Sequence, residues 1–424
     1  MELSVEQRQI ATQRPNGHYL LKGVAGSGKT LVGLYRALFL SKNYCFDKDD
    51  MVLVAAYNRT LVQYMEHLYT RLQDHNQKDC YSLFTCRNRS VCIQTIDSLM
   101  VPYFKDYVKA QRRSYTIGVP RNVSHDIITV GITKIKADYP DVSFLKEKYW
   151  VFLLQEIQWI KSSLLTKESD YLNADRLGMG KVNEQAYFQR LPKNSSARKA
   201  VFELMQHYTD EIRQRNFCTF ADMRIMALWQ VRRECKQRYS HLIIDESQDL
   251  THSQLLFLKE IYNCRKPHAS ILFIMDSAQN IYPQSWLGSG RNIAGIGFNM
   301  AGRGYNLHQN RRSTDRIYQA ACGLIEECPQ IVTKTTSSFP ISNRIQGCLP
   351  VCRSFSNLNE QADFIAAEIK KTKNIQSLGN VAVLARFKDQ LEQLRRRLLE
   401  KRIPCGIFMD AAHLFQTEQV NLVT

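Results

Sequence analysis

The stretch HYLLKGVAGSGKTLVGLYRALFL, residues 18–40, decides the fold. Tyr19, Leu20 and Leu21 form an apolar run of strand character, a glycine loop follows, and Leu31, Leu34, Tyr35 and Leu38 then recur on one face at helical spacing. Strand, loop, helix is the context in which the pattern GxxxxGK[ST] cradles nucleotide phosphates. Gly23 and Gly28 let backbone N–H groups point inward at phosphate oxygens, and the helix start adds its partial positive charge. Lys29 reaches the β- and γ-phosphates and the Thr30 hydroxyl ligates magnesium. The spacing predicts an ATP or GTP site in an α/β fold of the P-loop NTPase class. A chance match in a glycine-containing turn would lack these flanks.

The carboxylates that complete such a site follow in YSHLIIDESQDL, residues 239–250. Leu242, Ile243 and Ile244 have the composition of a buried parallel strand, and acids at its end sit at the mouth of the sheet, where ligands bind in open α/β folds. Asp245 is expected to hold magnesium through water and Glu246 to orient and deprotonate the attacking water. Alone, two acids after an apolar run would be a surface turn; the P-loop reverses that reading. A further apolar run, ASILFIMDSAQNIY at 269–282, ends in Asp276 and Gln279. Gln279 is either a γ-phosphate sensor or part of an ordinary polar strand end. The glycine-rich stretch from Gly288 to Gly304 lacks a preceding strand and a GK[ST] ending, so a flexible loop is expected there.

The chain has 424 residues, enough for two or three domains. With 44% hydrophobic and 23% charged residues it has the composition of a folded globular protein. The start, MELSVEQRQIA, lacks a basic segment leading into an apolar core, and no stretch approaches the length of a membrane span. A cytoplasmic protein with no membrane partner is expected. The 12 cysteines show no CxxC pair, and the series Cys80, Cys86, Cys92 matches no common zinc spacing, so reduced thiols are expected. A formal charge of +17 favours a polyanionic partner without saying which, and a solvated surface is the plain alternative.

The order of these motifs resembles the UvrD-like branch of superfamily 1 DNA helicases. LSVEQRQIA looks like the Q motif, GVAGSGKT and DESQD like motifs I and II, VLVAAYNRTL like Ia, VCIQTIDSL like Ib, FIMDSAQNIY like III and YNLHQNRRST like IV. NVAVLARFKDQLEQLRRRLLEKRIPCGIF is similar to motif IVa, with Arg386 after a strand expected around Val381 to Leu384 and a helix around Leu391 to Leu399. The resemblance implies a RecA-like parallel-sheet domain (1–103 and 192–305), a mainly helical insertion (104–191) and an incomplete second RecA-like domain (306–424). It implies ATP and Mg2+ as cofactors, with Lys29, Glu246, Gln279 and Arg312 catalytic, Arg312 acting as an arginine finger. Gln7, Gly23, Ala25, Gly26, Ser27, Gly28, Lys29, Thr30 and Arg311 would hold the nucleotide, and Thr30 and Asp245 the metal. Gln7 would read the adenine edge, and Arg311 stands where the family usually stacks a tyrosine on the base.

Tyr57, Asn58, Thr95, Ser98, Tyr282 and Trp286 would face nucleic acid. In motif Ia the usual aromatic position is Ala56, with Tyr57 one place later, and Trp286 is either a base-stacking residue or core. The implied activity is an ATP-dependent translocase or helicase acting on single-stranded DNA or DNA with single-stranded tails, with 3′ to 5′ polarity. The rival is an ATP-gated DNA-binding module of a repair or defence complex with little motor activity; a P-loop kinase of small molecules would not need Gln7, Gln279 and Arg312 in this order. The final EQVNLVT resembles the start of motif V, so motif VI is missing and slow hydrolysis is expected. The short interval from Phe408 to Val420 implies a compact member without the large second insertion. Three origins of this terminus are open: a fragment cut short, a natural truncation, or half of a motor completed by a partner chain pairing with an open sheet edge.

Overall fold

The computed structural model describes residues 2–78, 91–176, 191–234, 238–276, 279, 285–286, 293–326, 345–373, 378–385 and 388–406. They divide into two compact units, one holding residues 2–23, 29–57 and those described from 91 to 307, the other 24–28, 58–78 and those described from 308 onward.

The first unit is built on a six-stranded parallel sheet. Its strands are β1 (Gly17–Gly23), β2 (Val52–Ala56), β3 (Val91–Thr95), β6 (His241–Ile244), β7 (Ser270–Met275) and β8 (Gly304–Leu307), in the order β3-β2-β6-β7-β1-β8. A separate parallel pair joins β4 (Thr116–Ile117) to β5 (Phe217–Cys218). Every residue of β2, β6 and β7 is buried, as befits strands covered on both faces. Burial of each large apolar side chain contributes about 1.5–3 kcal/mol. The register sets Leu21 beside Ile274 on one side and Tyr305 on the other, and Ile243 between Val54 and Leu272. Adjacent β6, β7 and β1 therefore end together, and the chain leaving each opens at one edge.

Helix α1 (Val5–Thr12) begins with a capping box between Ser4 and Gln7 and packs on α2 (Lys29–Asn43). Gly33 lets α2 lie close to the sheet: a β-carbon there would meet Ile274 Cδ1 at 2.8 Å and Ile243 Cγ2 at 3.2 Å. Arg36 of α2 is 2% exposed. Its Nη1 donates to the carbonyls of Ile10 (3.2 Å) and Gln13 (3.1 Å), and the guanidinium lies 5.3 Å over the Tyr19 ring. Burial pulls its pKa down to about 10.

Helices α4 (Ile96–Ala110), α9 (Phe220–Glu234) and α10 (His252–Ile261) flank the sheet and share its core. A second core unites α5 (Arg121–Ile135), α6 (Trp150–Ser162), α7 (Glu168–Asn173) and α8 (Ser196–Gln214), so it continues through Ile212. Inside it, Glu156 accepts from Tyr171 Oη at 2.9 Å and from Arg176 Nε and Nη2 at 2.7 and 2.6 Å. Lys161 Nζ meets both oxygens of Asp222, on α9, at 3.0 Å, which fastens the helical core to the sheet's flank.

In the second unit, α3 (Arg59–Lys78) buries Val62, Met65, Leu68, Tyr69 and Leu72 at helical spacing. Helix α11 (Asp315–Glu326) follows. Helices α12 (Leu358–Lys373) and α13 (Lys388–Glu400) close over Ala366, Ile369, Leu398 and Ile403, and Arg397 pairs with Asp363 at 2.9 Å. The expected helix around Leu391 to Leu399 is thus present. The strand expected around Val381 to Leu384 is not: residues 381–385 join no ladder among the described residues, and an apolar run without a neighbour has nothing to pair with.

Two further differences concern 293–307. Residues Ile293–Ile296 form a 3-10 turn, and Ile293, Ile296 and Phe298 are buried in the sheet's core where only a flexible loop was expected. The stretch then ends in β8, a strand the sequence did not announce. Arg386, the remainder of the expected glycine-rich loop, and motif V lie outside the described residues.

Candidate functional site

The end of β1 delivers Lys29 at the first position of α2. Its ammonium donates to the Gly23 carbonyl at 2.9 Å and pairs with Asp276 Oδ2, just past β7, at 3.2 Å. Gln279 Nε2 donates to the same Asp276 oxygen at 2.8 Å. Next to Lys29, the Thr30 hydroxyl donates to Asp245 Oδ2 at 2.6 Å, at the end of β6. Three adjacent strand ends thereby bring together Lys29, Thr30, Asp245 and Gln279, all named from sequence, and add Asp276.

Asp245 is buried, and that burial, reinforced by the neighbouring Glu246 charge, pushes its pKa up to about 6. A buried carboxylate beside a hydroxyl, both hard oxygen donors, suits magnesium, whose charge would offset the cost of ionising Asp245. Glu246 adopts φ 49° and ψ 40°, a left-handed backbone that costs a non-glycine residue about 1–2 kcal/mol. Gln248 fixes it there: its Nε2 donates to Glu246 Oε2 at 2.5 Å, while its Oε1 accepts from the Asp276 amide at 3.1 Å. Sequence reasoning missed Gln248 and the pairing of Asp276 with Lys29. DESQD and the acid ending β7 were visible, but their partners lie on other strands.

The glycine loop has positive φ at Gly26 (74°) and Gly28 (80°). Residues 24–28, including Ala25 and Ser27, group with the second unit, where the Arg311 amide donates to the Gly26 carbonyl at 2.9 Å. A β-carbon at Gly26 would meet Arg312 Cβ at 2.8 Å and would run into Asn310 Oδ1. The Arg312 amide is held by Asn310 Oδ1 at 2.9 Å, and its charge opposes the burial-driven rise in the pKa of Tyr64 on α3. The Arg311 side chain donates to Gln309 Oε1 at 2.5 Å.

Gln7, expected at the adenine, is buried in its capping box, where its Oε1 accepts from the Ser4 amide at 2.9 Å.

Of the residues expected to face nucleic acid, Tyr57, Thr95 and Ser98 lie where β2 and β3 end side by side, with Ala56 paired to Thr95. Tyr57 hydrogen-bonds Arg224, whose Nε and Nη2 grip Asp97 at 2.7 Å each. Thr95 caps α4, accepting from the Ser98 amide at 3.1 Å and sharing a 2.7 Å bond with the Ser98 hydroxyl. Asn58, in the second unit, caps α3 through the Leu61 amide at 2.8 Å. Trp286 is half-buried against the sheet's core, and its amide donates to the Leu250 carbonyl at 2.7 Å. Tyr282 lies outside the described residues. Among those residues, no helix is long and apolar enough to cross a membrane.

Comparison with known proteins gives the same assignment across nearly all of the chain. The model of the UvrD/REP helicase N-terminal domain matches residues 3–293, and that of the UvrD-like helicase C-terminal domain matches 305–423. The ATP-dependent DNA helicase Rep of Buchnera aphidicola subsp. Schizaphis graminum is 23% identical over 435 residues, covering 100% of this chain and 59% of that protein. The ATP-dependent DNA helicase srs2 of Schizosaccharomyces pombe is 23% identical, covering 94% of this chain and 43% of its own length. DNA helicase II of Haemophilus influenzae is 21% identical, with 96% and 51% covered. The chain spans about half the length of these relatives. With the glycine loop, the paired carboxylates and the parallel sheet that joins them, these matches show that the chain belongs to the UvrD/Rep helicase family.

Proposed function

We propose that the chain is the ATP-hydrolysing part of a translocase or helicase acting on single-stranded DNA, or on DNA with single-stranded tails, with ATP and Mg2+ as cofactors. The observation that carries this reading is the cluster at the ends of β1, β6 and β7, where Lys29 is paired with Asp276 and Thr30 with Asp245. The similar proteins, named as ATP-dependent DNA helicases, supply the substrate class.

Lys29 exchanges Asp276 for the β- and γ-phosphates, and Thr30 and Asp245 hold the metal. Bound magnesium supplies charge neutralisation on the phosphates. Glu246, fixed by Gln248, takes the proton of the attacking water, and Gln279, tied to Asp276, monitors the terminal phosphate. Arg312 serves as the arginine finger, supported by its close approach to Gly26. Gln7 and Arg311 address the adenine, the first by its amide and the second by stacking. Tyr57, Asn58, Thr95, Ser98, Tyr282 and Trp286 form the DNA track, and movement is 3′ to 5′.

The domain plan is a first RecA-like domain from 1–103 and 192–305, a helical insertion over 104–191 and a second RecA-like domain from 306. Because α8 shares the helical core, we extend the insertion through α8. Motor action takes place in the cytoplasm. ATP turnover measured with and without oligo-dT tests the proposal: DNA stimulates wild type, and Lys29→Ala abolishes turnover in both conditions. Turnover that depends on Lys29 yet ignores DNA would rule out translocation.

A further inference from the structure

The turn that follows the DESQD carboxylates does more than begin a helix. Thr251 caps α10 in a reciprocal box with Gln254, and two residues of the first turn, His252 and Gln254, each hold something else. Gln254 Oε1 accepts from the Thr251 amide at 3.0 Å, while its Nε2 donates to Asp97 Oδ1 at 2.9 Å, the carboxylate that also grips Arg224 beside Tyr57. His252 stacks face to face on Trp286, with ring centroids 3.9 Å apart and planes at 22°. Its Nδ1 lies 3.4 Å from the carbonyl of Ser163, the C-cap of α6. A carbonyl can only accept, so this nitrogen carries the proton.

Trp286 is therefore held at three points: its amide on Leu250, its packing against the sheet's core, and one indole face on the imidazole. The segment providing two of these points starts four residues after Glu246. An indole braced on one face by a fixed ring has a defined orientation, which a base-stacking platform requires.

We propose that His252 is a positioning residue that holds Trp286 as a stacking platform for a base of single-stranded DNA and, through Ser163, ties that platform to the end of α6. This inference rests on the DNA-track reading above and adds the residue that orients the track. His252 itself touches no substrate. A ring at this position is what matters, because the stack is a contact between faces and the hydrogen bond is long.

The test uses the full chain and fluorescein-labelled oligo-dT, with affinity read by anisotropy. Trp286→Ala weakens binding roughly tenfold. His252→Ala weakens it about threefold to tenfold, and His252→Phe, which keeps a flat ring, returns it to within about twofold of wild type. Acrylamide quenching of the fluorescence component lost in Trp286→Phe reads the stack without DNA: it rises in His252→Ala and returns in His252→Phe. If wild type does not bind oligo-dT, the DNA reading and this inference fall together. If wild type binds and Trp286→Ala binds equally well, the platform is refuted while the DNA reading stands. If Trp286→Ala is impaired but His252→Ala matches wild type, or His252→Phe is as poor as His252→Ala, the positioning role alone is overturned.

Discussion

Two clusters of buried charge in the first unit are built on opposite terms. In the helical insertion and its junction with α9, Glu156 is met by Tyr171 and both arms of Arg176. Lys161 meets both oxygens of Asp222, whose remaining capacity is taken by the Thr219 amide and hydroxyl. At the end of the sheet, Asp245 is as deeply buried and receives the Thr30 hydroxyl and the Glu246 amide, but forms no ion pair among the described residues. Lys161 and its hydrogen bonds hold the Asp222 pKa low against burial, whereas burial drives that of Asp245 up to about 6. Buried charge alone thus does not separate structure from function. At these two acids the difference lies in the partners: Asp222 has a cation as well as the Thr219 donors, whereas Asp245 has two neutral donors and no ion pair among the described residues, so a bound cation would offset its buried charge.

This contrast breaks most visibly if the partners of Asp222 prove dispensable. Asp222→Ala strands a buried ammonium and should cost about 3–5 kcal/mol by chemical denaturation, while the double change Lys161→Met/Asp222→Leu recovers most of it. A loss below about 1 kcal/mol in the single variant would show that Asp222 is not the anchor described. Lys29→Ala should cost both function and stability. Turnover falls roughly 10²–10³-fold, equivalent to about 3–4 kcal/mol of activation, and the unfolding free energy falls as well because the buried Asp276 carboxylate loses its cation.

Asp245→Asn sharpens the comparison, because it should stabilise the metal-free protein at neutral pH by about 1–3 kcal/mol while removing magnesium-dependent turnover. The pH dependences of the two acids have opposite sign. Asp245 titrates higher in the folded than the unfolded chain, so metal-free folding gains from its protonation at low pH and loses that gain as pH rises through about 6. Asp222 titrates lower when folded, so its contribution is present above its unfolded value of 3.8 and disappears as pH falls through the folded one. Magnesium affinity, read by isothermal titration with nucleotide, should drop by about tenfold per unit below pH ~6, because Asp245 must give up its proton to bind. The smallest change in stability is expected at Glu246, where Glu246→Gly relieves the left-handed backbone and raises stability by about 1 kcal/mol, although turnover is lost.

What was legible in the sequence was local. A P-loop needs its strand, glycines and helix within a few residues of one another, and the acids after Leu242–Ile244 announce themselves by following an apolar run. Lys29, Thr30, Asp245, Glu246 and Gln279 could therefore be named without coordinates. The pairing of Lys29 with Asp276 spans 247 residues and that of Gln254 with Asp97 spans 157, and no periodicity encodes either. β8 went unnoticed because GYNL is short and alternates polar with apolar, so only its place beside β1 makes it a strand. The run at Val381 to Leu384 shows the converse: strand-like composition yields no strand unless a neighbour offers a ladder. Gln7 was legible as a motif, but its commitment to the Ser4 cap was not.

Arg36 has a practical corollary for anyone handling this protein. Its guanidinium finds carbonyl acceptors in the stretch from Ile10 to Gln13, at the close of α1, and lies over Tyr19 with no carboxylate bonded to it among the described residues. The segment up to Gln13 therefore supplies the acceptors for a cation rooted in α2. Trimming it to tidy an expression boundary would uncover that cation about two turns along α2 from Lys29, so purification handles belong elsewhere.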